Sequence, residues 1–262
     1  QPSPLPRTQD ETLSFRWLDD GTAYLSIGSF ATFQMEGDFE AWIVDAFQKM
    51  RAGQAERLIV DLRGTPGGVD EAASFLFQHL LQEPVEIDLW RGSSAYDVLP
   101  EDLRPHIRSW SADIYDLTDQ VTPTNDGRFS LRVRPPMTIR PAPDAFSGPV
   151  AVLVDAAASS ATFYLADRIK QTGAALLVGQ ETGGSRAGLN GGQMAFLELP
   201  NSGVVVDVPL FASRPVNPGP DQGVIPERIV QLDADAVIIG RDPEIEAAID
   251  LLRGHSIREL HD

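Results

Sequence analysis

The sequence predicts an α/β fold built on a largely parallel sheet. Short apolar runs of buried-strand type, such as RLIVDL and PVAVLV, alternate with stretches whose apolar residues recur at three- and four-residue steps. Strand-like runs also end directly in loops rich in Gly, Ala and Ser. At 262 residues, 42% of them hydrophobic, the chain can bury the core that one large domain or two small ones need.

Residues 1–11 are Pro-rich and polar and read as a leader or linker, and residues 12–262 form the core domain. Two strands, LSFRWL and TAYLSIGSF, flank Asp19-Asp20-Gly21, a hairpin signal. Phe39, Trp42, Ile43, Phe47 and Met50 mark one face of a helix. Arg57–Leu62 is a central strand that ends in Arg63-Gly64-Thr65-Pro66-Gly67-Gly68, and Ala72, Phe75, Leu76 and Leu80 mark the next helix. The stretch from about 83 to 147 is rich in Pro, Asp and Arg and reads as an insertion that could form a lid. Within it Ile107, Trp110, Ile114 and Leu117 keep helical spacing, and Asn125-Asp126-Gly127 sets up a hairpin. The alternation resumes with strand 149–154, helix 159–171 and strand 175–179. A hairpin, MAFLELP-NSG-VVVDVPL, and a helix over about 243–253 close the chain.

Composition removes whole classes of chemistry. With no Cys there is no thiol nucleophile, disulfide, iron–sulfur cluster or thiolate zinc site. Lys49 and Lys170 are the only lysines among 21 basic residues, so a Lys or His base must come from these two and four His. A net charge of −17 opposes nucleic acid or an anionic membrane as partner, and no apolar run approaches the roughly 20 residues of a membrane span. The chain begins at Gln1 and is expected to be processed or trimmed, with any signal peptide removed; the lack of Cys suits an exported, periplasmic or extracellular, protein.

In open α/β sheets ligands lie beyond the carboxyl ends of the strands, which singles out loops 63–70, 155–162 and 180–192. The middle loop, Asp155-Ala156-Ala157-Ala158-Ser159-Ser160-Ala161-Thr162, puts serine at a strand-to-helix junction. Unpaired N–H groups of a first helical turn there can hold developing negative charge, as acyl transfer requires. Ser159 or Ser160 could instead only cap the helix. Gly67 and Gly68 let the main chain approach a reacting group, or simply make a tight turn. The loop lacks the Gly-Lys-Ser/Thr ending of a phosphate loop.

The order of Tyr24-Leu25-Ser26-Ile27-Gly28-Ser29-Phe30, Val60-Asp61-Leu62-Arg63-Gly64-Thr65-Pro66-Gly67-Gly68, PVAVLVD-AAASSAT, LLVGQETGG and Gln222-Gly223-Val224-Ile225-Pro226-Glu227 resembles the C-terminal processing (tail-specific) serine protease family. That family includes tricorn core protease-like and interphotoreceptor retinoid-binding protein-like members. The resemblance runs from about residue 12 to 232. It implies a ClpP/crotonase-like core, no cofactor or metal, and a peptide or protein substrate. It also implies Ser160 as nucleophile, with the N–H groups of Ala161 and of Gly67 or Gly68 as oxyanion hole.

Two departures concern the general base. Tail-specific members carry a lysine where Ser185 stands here. Lys170 lies about 15 Å along the helix from Ser160, and Lys49 has no motif around it. Tricorn-like members use an upstream histidine supported by an acidic residue just before Gly-Val-x-Pro, which falls near Pro220-Asp221. His106, in the insertion, ranks first among the histidines as base; His79 sits at the far end of its helix, and His255 and His261 in the C-terminal tail. Glu181 and Asp221 are carboxylate candidates and would need raised pKa values. The function expected is a serine-type peptidase with a Ser160 acyl-enzyme. The alternative is a noncatalytic protein that binds a peptide or lipid in the same cleft, and a crotonase-type acyl-thioester enzyme fits less well.

Overall fold

The computed structural model describes residues 12–19, 21–87, 90–131, 137–231 and 233–254, so the expected leader, His255 and His261 lie outside the described residues. The described strands, in chain order, are β1 (Leu13–Asp19), β2 (Thr22–Ile27), β3 (Arg57–Asp61), β4 (Val85–Ile87), β5 (Trp90–Ser94), β6 (Ile107–Arg108), β7 (Val121–Pro123), β8 (Phe129–Leu131), β9 (Met137–Ile139), β10 (Val150–Val154), β11 (Leu176–Gly179), β12 (Leu189–Glu198), β13 (Val205–Pro215) and β14 (Arg228–Ile229). The described helices are α1 (Phe39–Ala52), α2 (Asp70–Gln78), α3 (Ser160–Thr172), α4 (Ala234–Ile238) and α5 (Pro243–Gly254). These elements form two compact units. One is drawn from residues up to 86, 138–184 and 223 onward, the other from 87–137 and 185–222.

The first unit is a six-stranded sheet in the order β1-β2-β3-β10-β11-β14. The β1–β2 hairpin is antiparallel and every other pairing is parallel. β3 and β10 lie at its centre and bury nearly every side chain, which is why they read as continuous apolar runs. On one face Tyr24, Ile59, Ala151, Leu153 and Val178 pack with Ala248 and Leu252 of α5. α1 buries Phe39, Ile43, Phe47 and Met50 at the expected spacing, with Trp42 half-buried, and it packs on α2 as α2 packs on α3. Each wholly buried Phe or Leu here, such as Phe77, Phe163 and Leu76, contributes about 1.5–3 kcal/mol. The Asp38 carboxylate accepts from the Ala41 N–H to start α1, and Gly173, at φ 67°, ends α3 in the left-handed conformation.

The second unit is antiparallel, in the order β6-β12-β13-β5-β8-β7. Its long β12–β13 hairpin is the one expected near the end of the chain, and the β7–β8 hairpin turns at Asn125-Asp126-Gly127, where Gly127 has φ 77°. The inserted strand β5 pairs directly with β13, so the insertion and the later hairpin share one sheet.

The expected inserted helix is a correction. The described residues of 83–147 contain two short 3-10 turns and no α-helix. Ile107 sits on β6 opposite Leu197, and Ile114 lies in the 3-10 turn Ala112–Tyr115. The backbone between is committed elsewhere: Leu99 N–H donates to the Tyr115 carbonyl and Leu117 N–H to that of Asp97. Ile107, Ile114 and Leu117 are buried all the same, the first two in a small core with Leu99 and Ala195. Three of the four spaced apolar residues, with Pro100 and Pro105 just before them, thus report burial and not helical period, while Trp110 is exposed.

Candidate active site

β10 ends at Val154, and the chain turns through Asp155–Ser159 into α3. Asp155 shapes this turn: one carboxylate oxygen accepts from the Ala157 N–H (3.0 Å) and the other from Gly64 N–H (2.9 Å), across to the glycine-rich loop. Ser159 occupies the N-cap but makes no capping bond through its side chain. Its hydroxyl donates to the Pro66 carbonyl at 2.8 Å, strapping the start of α3 to the same loop. Ser160 is exposed and has φ 51°, one of two non-glycine residues at positive φ among the described residues. A left-handed serine costs of order 1–3 kcal/mol, which the surrounding turn must sustain. The two serines therefore divide their roles: Ser159 is structural, and Ser160 presents its hydroxyl.

The loop after β3 is pinned on several sides. The Thr65 hydroxyl donates to the Ile27 carbonyl at 2.5 Å, Phe30 N–H to the Gly67 carbonyl, and Val69 N–H to the Phe30 carbonyl, the last two at 2.9 Å. Gly67 has φ 112°, and a Cβ there would stand 2.8 Å from Ser160 Cβ and 3.1 Å from Ala161 N. Gly68, at φ 143°, instead passes so close to Phe30 that a Cβ would overlap its backbone. Among the described residues no acceptor takes the N–H groups of Gly67, Gly68 or Ala161. Ser160, Ala161, Gly67 and Gly68, named from the sequence, are thus gathered at the carboxyl ends of β3 and β10.

The base candidates are spread over both units. Within the first unit, no described side chain hydrogen-bonds the Ser160 hydroxyl. His79 is buried between Phe47 and Phe75, its Nδ1 2.9 Å from the Phe75 carbonyl and its Nε2 3.3 Å from Asp144. Glu181 accepts from Gly223 N–H at 2.7 Å, joining loop 180–184 to the Gly-Val-x-Pro segment, and the Thr182 hydroxyl accepts from Val224 N–H at 2.8 Å. Lys170 pairs with Glu227 and Lys49 with Asp45. In the second unit, His106 is exposed at the end of the 3-10 turn Arg104–His106. There the Ser185 hydroxyl donates to Asp221 at 2.7 Å, so the residue in the family's lysine position and the acidic candidate are paired.

One cluster had no signal in the sequence. Arg63, first residue of the glycine-rich loop, binds Asp61 at the end of β3, and Asp242 and Glu244 at the start of α5. Tyr24 donates to the same Asp61 at 2.5 Å. Burial alone would lower the Arg63 pKa, but the three carboxylates outweigh it and push it up. Burial works against the charged form of Asp242 too, yet the Arg63 hydrogen bond and charge hold its carboxyl below the usual range. Burial, then the Asp61 bond and charge, raise the Tyr24 phenol. Asp242 and Glu244 lie 179 and 181 residues from Arg63 in sequence. The cluster holds α5 and the loop behind Gly67 in place.

Among the described residues no group of side chains could hold a metal ion, and no helix is long and apolar enough to cross a membrane. No curated protein matches this sequence. Among solved structures, a candidate peptidase from Parabacteroides merdae ATCC 43184 is 22% identical with a TM-score of 0.58, and the match covers 92% of this chain and 64% of that one. The photosystem II D1 C-terminal processing protease (18% identical, TM-score 0.50) and mature CPAF (17%, 0.55) are matched over 92% of this chain and over 49% and 52% of theirs. The chain thus spans less than two thirds of each of these structures. They share its fold of mixed parallel and antiparallel sheets. The model of peptidase family S41 matches residues 21–215, most of the described chain, and the chain belongs to that family.

Proposed function

We propose that this chain is a serine-type peptidase that cleaves peptide bonds through an acyl-enzyme on Ser160, on a core of ClpP/crotonase type. The observation that carries the reading is the exposed Ser160 at φ 51°, with the Gly67 backbone directly against it. In the proposed reaction Ser160 Oγ attacks the peptide carbonyl carbon and gives its proton to a general base. The carbonyl oxygen becomes an oxyanion held by the N–H groups of Ala161 and of Gly67 or Gly68. The intermediate collapses, the C–N bond breaks, and the base returns the proton to the leaving amine. Water then attacks the acyl ester by the same route and frees Ser160. His106 remains the proposed base of first rank.

Reaction with a fluorophosphonate, followed by mapping of the adduct, tests the nucleophile. Labelling at Ser160 that vanishes in Ser160→Ala supports the reading. An intact, folded chain left unlabelled under conditions that label an active family member overturns it, in favour of a noncatalytic peptide- or lipid-binding protein. For the base, a His106→Ala chain that keeps both its labelling rate and its pH dependence removes His106 from the mechanism.

A further inference from the structure

Arg91 on β5 and Arg214 on β13 stand directly opposite each other in an antiparallel ladder. Residues so paired project from the same face, and like charges there repel. Both are exposed, and neither has a carboxylate partner among the described residues. Elsewhere in this chain of net charge −17, Arg57, Arg63, Arg108, Arg168 and Arg241 each hold an ion pair. Two residues further along, Ser93 lies opposite Ala212 on that face, and Arg128 Nη2 reaches the Ser93 hydroxyl at 3.5 Å. Arg128 is itself near an acid, since its N–H donates to Asp126. The Arg214 stem passes over Gly188, where a Cβ would stand 3.1 Å from Arg214 Cγ. A groove of about 400 Å³ adjoins it, lined by Gly188, Asn190, Ser213, Arg214, Ser185 and Asp221. The one carboxylate in that lining, Asp221, accepts the Ser185 hydroxyl and makes no ion pair with Arg214.

We propose that this face of the second unit, centred on Arg91 and Arg214, binds the carboxylate of a peptide. An anion between the two guanidinium groups would relieve their repulsion. Their planar forks match a carboxylate in bidentate fashion. The charge of the whole chain selects against long polyanions and leaves a single carboxylate or a short acidic segment as the fitting ligand. The site needs neither Ser160 nor hydrolysis, so its fate is separate from that of the proposed peptidase reaction.

The test uses the full chain carrying Ser160→Ala, so that peptides persist, and follows binding of a fluorescent peptide with internal Glu residues and a free C-terminus. Arg91→Gln with Arg214→Gln is expected to weaken binding about tenfold or more, and raised salt to weaken it in the parent only. Arg108→Gln, which removes an arginine already paired with Glu198, should leave it unchanged. Loss of binding on amidating the C-terminus identifies the terminal carboxylate as ligand, and loss on replacing Glu by Gln identifies side chains. Equal binding by the double variant, no binding by the parent, or an oligonucleotide that competes through the same two arginines would each overturn the proposal. The melting temperature of the double variant, unchanged or raised because repulsion is removed, shows that the sheet remains folded.

Discussion

Gly67 lies so close to Ser160 that a methyl group on Gly67 would stand 2.8 Å from the Ser160 Cβ and 2.7 Å from the Ser159 carbonyl oxygen. The contact sets the backbone of the loop after β3 directly against the exposed Ser160, and only glycine permits it at φ 112°. Gly67→Ala should therefore cut fluorophosphonate labelling of Ser160 at least tenfold and destabilise the fold by about 2–4 kcal/mol. Gly64→Ala is the control: its φ of 72° is unfavourable, but no atom lies within 4 Å. It should cost only about 1 kcal/mol and leave labelling intact. Equal effects of the two substitutions in denaturant melts and labelling would refute the contact's role.

Replacing Ser160 by glycine separates strain from chemistry. The left-handed backbone is free of penalty for glycine, so Ser160→Gly should raise stability by about 1 kcal/mol while abolishing labelling. Urea unfolding of the two chains measures the first effect and mass spectrometry of the adduct the second.

Ser159→Ala removes the strap to Pro66 without touching the exposed hydroxyl. A loss of about 0.5–1.5 kcal/mol is expected, with slower labelling because the loop that carries Gly67 loses an anchor. Labelling kinetics unchanged from the parent would show that the strap does not position the site.

Arg63 answers to three carboxylates, of which Glu244 and Asp61 have side chains only 3% and 9% exposed. Arg63→Met leaves them together without a counter-charge and should cost about 3–5 kcal/mol. Neutralising one of the acids as well, in Arg63→Met with Glu244→Gln, should recover part of that loss, and a double-mutant cycle in urea reads it directly.

The same cluster makes stability depend on pH at both extremes. The Asp242 carboxyl is held below its ordinary value in the folded chain, so its contribution is present above about pH 4 and is lost as pH falls through the folded value. The Tyr24 phenol is raised, so its contribution is complete below about pH 10 and is lost as pH rises through the folded value. Tyr24→Phe should flatten the alkaline limb of a stability profile, and Asp242→Asn the acid limb. Profiles that keep both slopes would place the coupling elsewhere.

The sequence by itself determined the parts of this protein that depend on nearest neighbours and on burial. β3, β10 and β11 are legible as apolar runs because a parallel sheet covered on both faces buries every residue in them, and α1 because its buried face repeats through four turns. Its ordered motifs also single out Ser160, Ala161, Gly67 and Gly68. Tertiary structure alone decided how those residues are arranged. That Ser159 is the strap and Ser160 the exposed hydroxyl depends on a bond to Pro66, 93 residues away. That Arg63 meets Asp242 and Glu244 depends on where α5 docks. The opposed Arg91 and Arg214 exist only because the insertion pairs with the later hairpin, and the spacing of Ile107, Ile114 and Leu117 suggests a helix only while their partners are unseen. Local pattern records which side chains are buried. Hydrogen bonds and charge pairs between distant segments leave no period in the chain, so only the folded arrangement can set them.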